Sequence, residues 1–316
     1  MSLGSRPLVP SRLAPGGVVA HGPRRAPRNR VGAYIALTKP RIIELLLITT
    51  VPTMVLAEQG WPSWGLVLVT LLGGTLAAGG ANAINMVVDR DIDALMERTK
   101  NRPLVTGVIA PAQALFFAIS LEVAAFAVLW IWANLLSAVL ALSATLFYVF
   151  IYTLWLKRTS KQNIVIGGAA GAVPVLVGWA AVRNSLDWEP FLLFTAIFLW
   201  TPPHFWALAI RHADDYRAAN VPMLPSVVSA EETTRHMLGY TVALTAVTVG
   251  LGPVAGLGLI YMVAAVLLGV GFIVATIDLG RRPTQSRSMR LFAFSITYVT
   301  VLFVAMAVDV FIEHGL

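Results

Sequence analysis

Nine apolar runs, each near the length that crosses a bilayer, recur along this chain of 316 residues. About 20 such residues span the hydrocarbon core as a helix, and a single soluble core has no room for nine of them in series. The runs fall at approximately 42–58, 65–86, 111–132, 135–156, 163–182, 189–210, 237–251, 255–277 and 290–312. Composition agrees, with 57% hydrophobic and 12% charged residues, a balance unlike that of soluble globular domains. The expected fold is all-α: a polytopic membrane helix bundle with nine transmembrane helices, of which 237–251 is barely long enough to cross.

Orientation follows from Lys and Arg, which collect in cytoplasmic loops. With the amino terminus inside, 22 of the 23 basic residues fall on the cytoplasmic side and Arg183 alone lies outside. A wrong helix count would scramble that partition. The net charge of +7 is thus a topology signal and gives no support to a nucleic-acid partner. Residues 1–33 form a Pro-, Gly- and Arg-rich segment without an acid. It shares its lack of acids with mitochondrial transit peptides, but its prolines and glycines oppose an amphipathic helix, and it is read as a disordered basic cytoplasmic tail on a membrane domain spanning 34–316. Cysteine is absent, which excludes disulfides, thiolate metal sites and cysteine nucleophiles.

The second apolar run ends in Asn85-Met-Val-Val-Asp89-Arg-Asp-Ile-Asp93. Residues four apart share a helix face, so Asn85, Asp89 and Asp93 can present oxygens to one pocket while Asp91 points elsewhere. Hard oxygen clusters of this kind suit Mg²⁺ bridged to a phosphorylated substrate. Arg98, Lys100 and Arg102 follow within one loop as cations for diphosphate oxygens, with Arg able to bind bidentately. A lone D-x-x-x-D is more often an ordinary acidic helix end; Asn85, the basic run and the membrane edge together favour the metal site.

A second polar connection, roughly 211–236, falls on the same side. It is approached through Trp200-Thr-Pro-Pro-His204 and carries Asp214 and Asp215. The tandem proline removes two backbone donors and is expected to kink or unwind the helix near His204. That histidine either lines a cavity or is hydrogen-bonded inside the bundle. Asp214 and Asp215 offer a second carboxylate set for metal, although neighbours diverge by about 100° on a helix, so one of them at most points inward. Tyr152 and Lys157 end the fourth run. A tyrosine face stabilises a carbocation and a lysine holds a leaving phosphate; the same pair also fits an interfacial aromatic belt. Glu44 and Glu122 lie in or near apolar runs, where a charge costs roughly 2.5–3.5 kcal/mol, and both are expected to face the bundle interior.

Asn85, Asp89, Asp93, Arg98, Thr99, Arg102 and Pro103 match the N-x-x-x-D-x-x-x-D and R-T-x-x-R-P signature of the UbiA superfamily of intramembrane prenyltransferases, which the chain resembles. Thr38-Lys39-Pro40-Arg41, Asn163-Ile-Val-Ile-Gly167-Gly168, His204-Phe205-Trp206 and Asp215-Tyr216 through Pro222-Met223-Leu224-Pro225 are similar to its haem-prenylating branch. The resemblance implies Mg²⁺-dependent transfer of farnesyl from farnesyl diphosphate to a vinyl group of haem B. Asp89, Asp93, Tyr152 and Lys157 would be catalytic. Asn85, Arg98, Lys100, Arg102, Arg41, His204, Arg211 and Tyr216 would bind substrates, and the pocket would face the cytoplasm of a bacterial plasma membrane or its mitochondrial equivalent. A downstream haem A synthase is the implied partner.

Two positions depart from the pattern: no acid stands four residues beyond Asp214 or Asp215, and Asn220 replaces a usual glycine. The resemblance leaves a quinone precursor or chlorophyllide as rival acceptor. An ion-coupled transporter is disfavoured, because transport acids sit deep in the bilayer and these stand where the apolar run stops.

Overall fold

The structure, a computed structural model, describes residues 29–315, except for the side chains of 41–47. Most of the expected tail, residues 1–28, therefore lies outside the described residues, as do the side chains of Arg41 and Glu44. Residues 29–33 are not tail. Asn29 caps helix α1 (Arg30–Thr38), its side chain accepting from the Gly32 amide, and Ala33 is buried.

Helix α2 (Pro40–Glu58) follows after the single residue Lys39, and α3 (Trp64–Val88) is capped by Ser63. A short α4 (Arg90–Leu95) leads into the first polar loop, and α5 (Pro111–Trp132) starts on a proline, where the missing amide costs no hydrogen bond. Next come α6 (Leu135–Leu146), a π-helical segment (Phe147–Leu156) and α7 (Lys157–Thr159), which together form one continuous rod. The second half contains α8 (Asn163–Arg183), α9 (Trp188–Arg211), α10 (Ala213–Ala218), α11 (Leu224–Val227), α12 (Ala230–Val254), α13 (Leu259–Arg281) and α14 (Gln285–Glu313).

Among the described residues eight helices are long and apolar enough to cross a membrane. The first expected run coincides with α2, of which Ile48–Glu58 is the apolar part that can be assessed. The run that looked short is a full 25 residues, because α12 begins at Ala230 with a polar turn capped by Ser229. Hydropathy misses that turn since Glu231, Glu232 and Arg235 lie in it.

The long helices pack in chain order: α2 on α3, α3 on α5, α5 on α6, α6 on α8, α8 on α9, α9 on α12, α12 on α13 and α13 on α14, and α14 returns to α2. The result is a closed ring. Its outer surface is apolar, with Phe116, Val123 and Trp130 of α5 and Leu267, Val270 and Val274 of α13 exposed, as expected where lipid is the solvent. Inside, small residues let helices approach closely. A Cβ on Gly80 of α3 would stand 2.9 Å from the Ala118 carbonyl of α5, and beside it the Glu122 carboxyl. Glu122 does face the interior, accepting from the Thr145 hydroxyl at 3.2 Å.

Helix α9 runs unbroken through Pro202 and Pro203, contrary to the unwinding expected there. Both prolines are buried, and packing against α8, α12 and α14 holds the helical path despite the two lost amides. At the opposite end from the polar loops, Asp309 of α14 accepts from the backbone amides of Gly258 and Tyr261. It thereby caps α13, whose own N-cap is a glycine.

Candidate functional site

Asp89 ends α3 at φ −83° and ψ 3°, yet the i to i−4 backbone bonds carry on across it, Asp89 to Asn85 at 2.9 Å and Asp93 to Asp89 at 2.8 Å. The helical face therefore survives the break, and Asn85, Asp89 and Asp93 are all buried on it. Asp91 is turned out and chelated by Arg158, each contact being 2.7 Å. That pairing, above all its hydrogen bonds, pulls the Asp91 carboxyl down to about 2.

Each buried carboxylate has its own cation. Lys157 donates to Asp89 Oδ2, and Arg102 donates to Asp93 Oδ2 at 2.5 Å. Thr99 is buried and ties the loop down by donating to the Asp93 carbonyl at 2.9 Å. Asn85 contributes its nitrogen, not the oxygen expected from sequence: Nδ2 donates to Asp89 Oδ2 at 2.7 Å and to Thr153 Oγ1 at 3.1 Å.

The π segment explains how Lys157 reaches the pocket. Tyr152 and Lys157 are five apart, which would set them about 140° apart on an α-helix. One wider π turn places them on one face. Tyr148 stacks on Tyr152 with centroids 5.2 Å apart, and Gly167 of α8 makes room, since a Cβ there would collide with the Tyr152 ring. The stacked pair thus stands within the field of the buried Asp89 carboxylate.

Lys39 belongs to this site and was not among the residues singled out for a role. Its Nζ donates to Asn85 Oδ1 at 2.9 Å. Burial first, then the fields of Arg102 and Lys157, hold this lysine well below its ordinary value. Its only signal in sequence is the Thr38-Lys39-Pro40-Arg41 string, which carries no chemistry by itself.

The two polar loops meet. Arg98 lies over the Tyr216 ring, 5.9 Å from its centroid, and Ile92 and Met96 pack with Ala219 and Val221 beneath. Asn220 takes φ 52°, the left-handed turn that asparagine tolerates in place of glycine. Asp215 faces His212, 3.8 Å away; that imidazole is pushed down by burial and then by Arg98. Asp214 does not join any cluster: its side chain is 97% exposed and paired with Arg217 at 2.5 Å, so only Asp215 remains for a second carboxylate set. Lys100 is drawn to Glu97 at the surface, and Arg211 is exposed. His204 is buried in the bundle, hydrogen-bonded to Ser295 at 2.7 Å and stacked between Trp200 and Phe292. Of its two readings from sequence, this is the hydrogen-bonded one.

The sequence model of the UbiA prenyltransferase family matches residues 46–303. The chain belongs to that family. It is 54% identical over 293 residues to the protoheme IX farnesyltransferase of Parafrankia sp. (strain EAN1pec), covering 92% of this chain and 94% of that one. The protoheme IX farnesyltransferase of Kineococcus radiotolerans is 52% identical over 310 residues, covering 92% and 91%. Solved UbiA folds superpose despite low identity. A digeranylgeranylglyceryl phosphate synthase gives a TM-score of 0.73 at 16% identity over 89% of this chain and 98% of that one. A UbiA homologue from Archaeoglobus fulgidus bound to DMAPP and Mg²⁺ gives 0.61 at 17% over 85% and 99%.

In this family member the residues present fit a divalent cation. Asp89 Oδ1 is buried without any hydrogen-bond donor, with the Arg158 guanidinium 3.9 Å away. A desolvated carboxylate oxygen left bare is costly and is the atom a hard cation takes. Among the described residues no three His, Asp or Glu cluster as a self-sufficient metal site. Any such ion therefore shares its coordination with ligand oxygens and water, as Mg²⁺ does on phosphorylated substrates. Arg102, Lys157 and Arg158 surround the two carboxylates with basic groups.

Proposed function

We propose that the chain transfers a farnesyl group from farnesyl diphosphate to a vinyl group of haem B. The observation that carries this reading is the 54% identity to a protoheme IX farnesyltransferase along 92% of the chain; the pocket's charges supply the chemistry. The allylic C–O bond breaks and diphosphate leaves, the vinyl carbon forms the new C–C bond, and water closes the resulting cation with loss of a proton to give a hydroxyethylfarnesyl side chain.

Asp89 and Asp93 would hold Mg²⁺, which neutralises the diphosphate as it departs. Lys157 and Arg102, released from the carboxylates, would bind diphosphate oxygens, with Arg98 supporting them from the loop above. The Tyr148–Tyr152 wall faces the developing allylic cation with π density, and the closed ring of apolar helices keeps water from intercepting it. Arg211 and Arg41 are the proposed partners of the haem propionates.

In this reading α2 is the ninth span, the polar loops face the cytoplasm, and the protein sits in the plasma membrane. Prenylation of a quinone precursor would use the same diphosphate half. The high identity to haem-acting relatives along nearly the full chain favours haem. Membranes containing the protein, given haem B, farnesyl diphosphate and Mg²⁺, should yield farnesylated haem by mass spectrometry. Prenylation of 4-hydroxybenzoate with haem B untouched would overturn the acceptor.

A further inference from the structure

Lys39, the single residue joining α1 to α2, lies in the left-handed region at φ 52°. A side chain with a Cβ is strained there. Among the described residues the other non-glycine positions with positive φ are Gln59, Asn184 and Asn220, of which two are asparagines, the residue type that tolerates this conformation best. Lys39 differs in where its side chain goes. It turns inward to the carboxylate pocket and ends on Asn85 Oδ1. Backbone strain of this kind persists where surrounding contacts over-determine it, and here the contact is a specific one.

An amide has one acceptor oxygen and a nitrogen with two donor hydrogens, and nothing in its shape says which end faces which partner. Lys39 Nζ donates to the oxygen, and that bond holds the oxygen end of the amide in place. The nitrogen is then left for Asp89 Oδ2 and Thr153 Oγ1. With Asn85 and Lys157 both on Oδ2, Oδ1 of Asp89 is the oxygen that remains bare. Turned the other way, the amide would set oxygen against oxygen and push Asp89 off its position.

We propose that Lys39 is a positioning residue: by holding the Asn85 oxygen it orients the amide, and the oriented amide fixes Asp89 with one oxygen free for a divalent cation. This rests on the proposed diphosphate chemistry and adds that Asn85 acts on the carboxylate and leaves the cation to Asp89.

Lys39→Gly separates the two contributions of this residue. Glycine accepts φ 52° without strain, so the variant keeps or gains stability while losing the ammonium. Lys39→Met removes the charge and keeps the length. The full chain in nanodiscs would be titrated with Mn²⁺ in the presence of farnesyl thiodiphosphate, with bound metal read by electron paramagnetic resonance and melting followed in parallel. Loss of a partner that orients a metal ligand typically weakens metal binding by 10–100-fold. We expect Mn²⁺ to bind about tenfold more weakly or worse in both variants, with Lys39→Gly melting no lower than wild type. Wild-type Mn²⁺ affinity in either variant overturns the proposal, as does a loss accompanied by a lower melting temperature in Lys39→Gly. Failure of the wild-type protein itself to bind Mn²⁺ with the thiodiphosphate overturns the proposed function, a result distinct from either.

Discussion

The ammonium of Lys157 is paired with the carboxylate of Asp89, 68 residues earlier in the chain, across the contact between α3 and the π segment. With Asp89 fully buried, that pairing keeps the charge in place inside a desolvated pocket. On the proposed reading Lys157 would exchange this partner for a diphosphate oxygen, so carboxylate and phosphate would compete for one cation.

Replacing Asp89 or Asp93 by Asn keeps shape and removes charge. Each should cut turnover per folded enzyme by about 100-fold or more, the size of losing an electrostatic stabiliser. Asp91→Asn should be mild, because Asp91 is spent on Arg158 outside the pocket. Equal losses at all three positions would remove the distinction between the buried face and the exposed acid.

The Tyr152 wall makes a ring-specific prediction. Tyr152→Phe keeps the π face and should retain most activity, whereas Tyr152→Leu should lose about tenfold, equivalent to about 1.4 kcal/mol of cation–π stabilisation. Gly167→Ala should resemble the leucine variant, since the added methyl group displaces the ring. Parity of Phe and Leu variants in single-turnover assays would exclude a role for the aromatic face.

Both the apolar spans and the first acidic face were legible in sequence because each rests on a simple period. Residues 111–132 were bounded correctly by hydropathy alone, and the four-residue spacing of Asn85, Asp89 and Asp93 held even though α3 formally stops between them. The π segment was not legible: its aromatic and β-branched residues are compatible with an α-helix, and only the packing of Tyr152 on Gly167 displays the extra residue. Lys39 was missed because its partner, Asn85, is 46 residues away. At the tandem proline only the unwinding failed to appear, because three packed neighbours hold the helical path.

Acid should expose the Asp91–Arg158 bridge. Its folded carboxyl titrates at about 2, below the usual value near 3.9. The stabilisation is therefore full above about pH 4 and is lost as pH falls towards 2. The melting-temperature gap between wild type and Asp91→Asn should be constant at neutral pH and close over that acid window. Because Asp91 is 63% exposed, the gap should be small and should shrink in high salt. A gap that persists at pH 2 would assign it to packing.

Topology has a direct readout in a chain without cysteine. Thr99 is unsuitable as a reporter because it is buried, but Glu97 and Ala218 are exposed on the two apposed loops and Ser185 is exposed at the far end. Cysteines at Glu97 and Ala218 should react with impermeant thiol reagents only in inverted vesicles, and one at Ser185 only in right-side-out vesicles. Labelling of the two loop positions from opposite sides would be incompatible with the Arg98–Tyr216 contact.

Helix α14 both seals the ring against α2 and supplies Asp309 to the amides that begin α13. Without α14 in place, α2 would keep an open flank and α13 would begin on bare donors. Removing this one helix therefore opens the bundle and uncaps a neighbour at once, so a truncation that loses α14 should be as damaging as one in the middle of the chain.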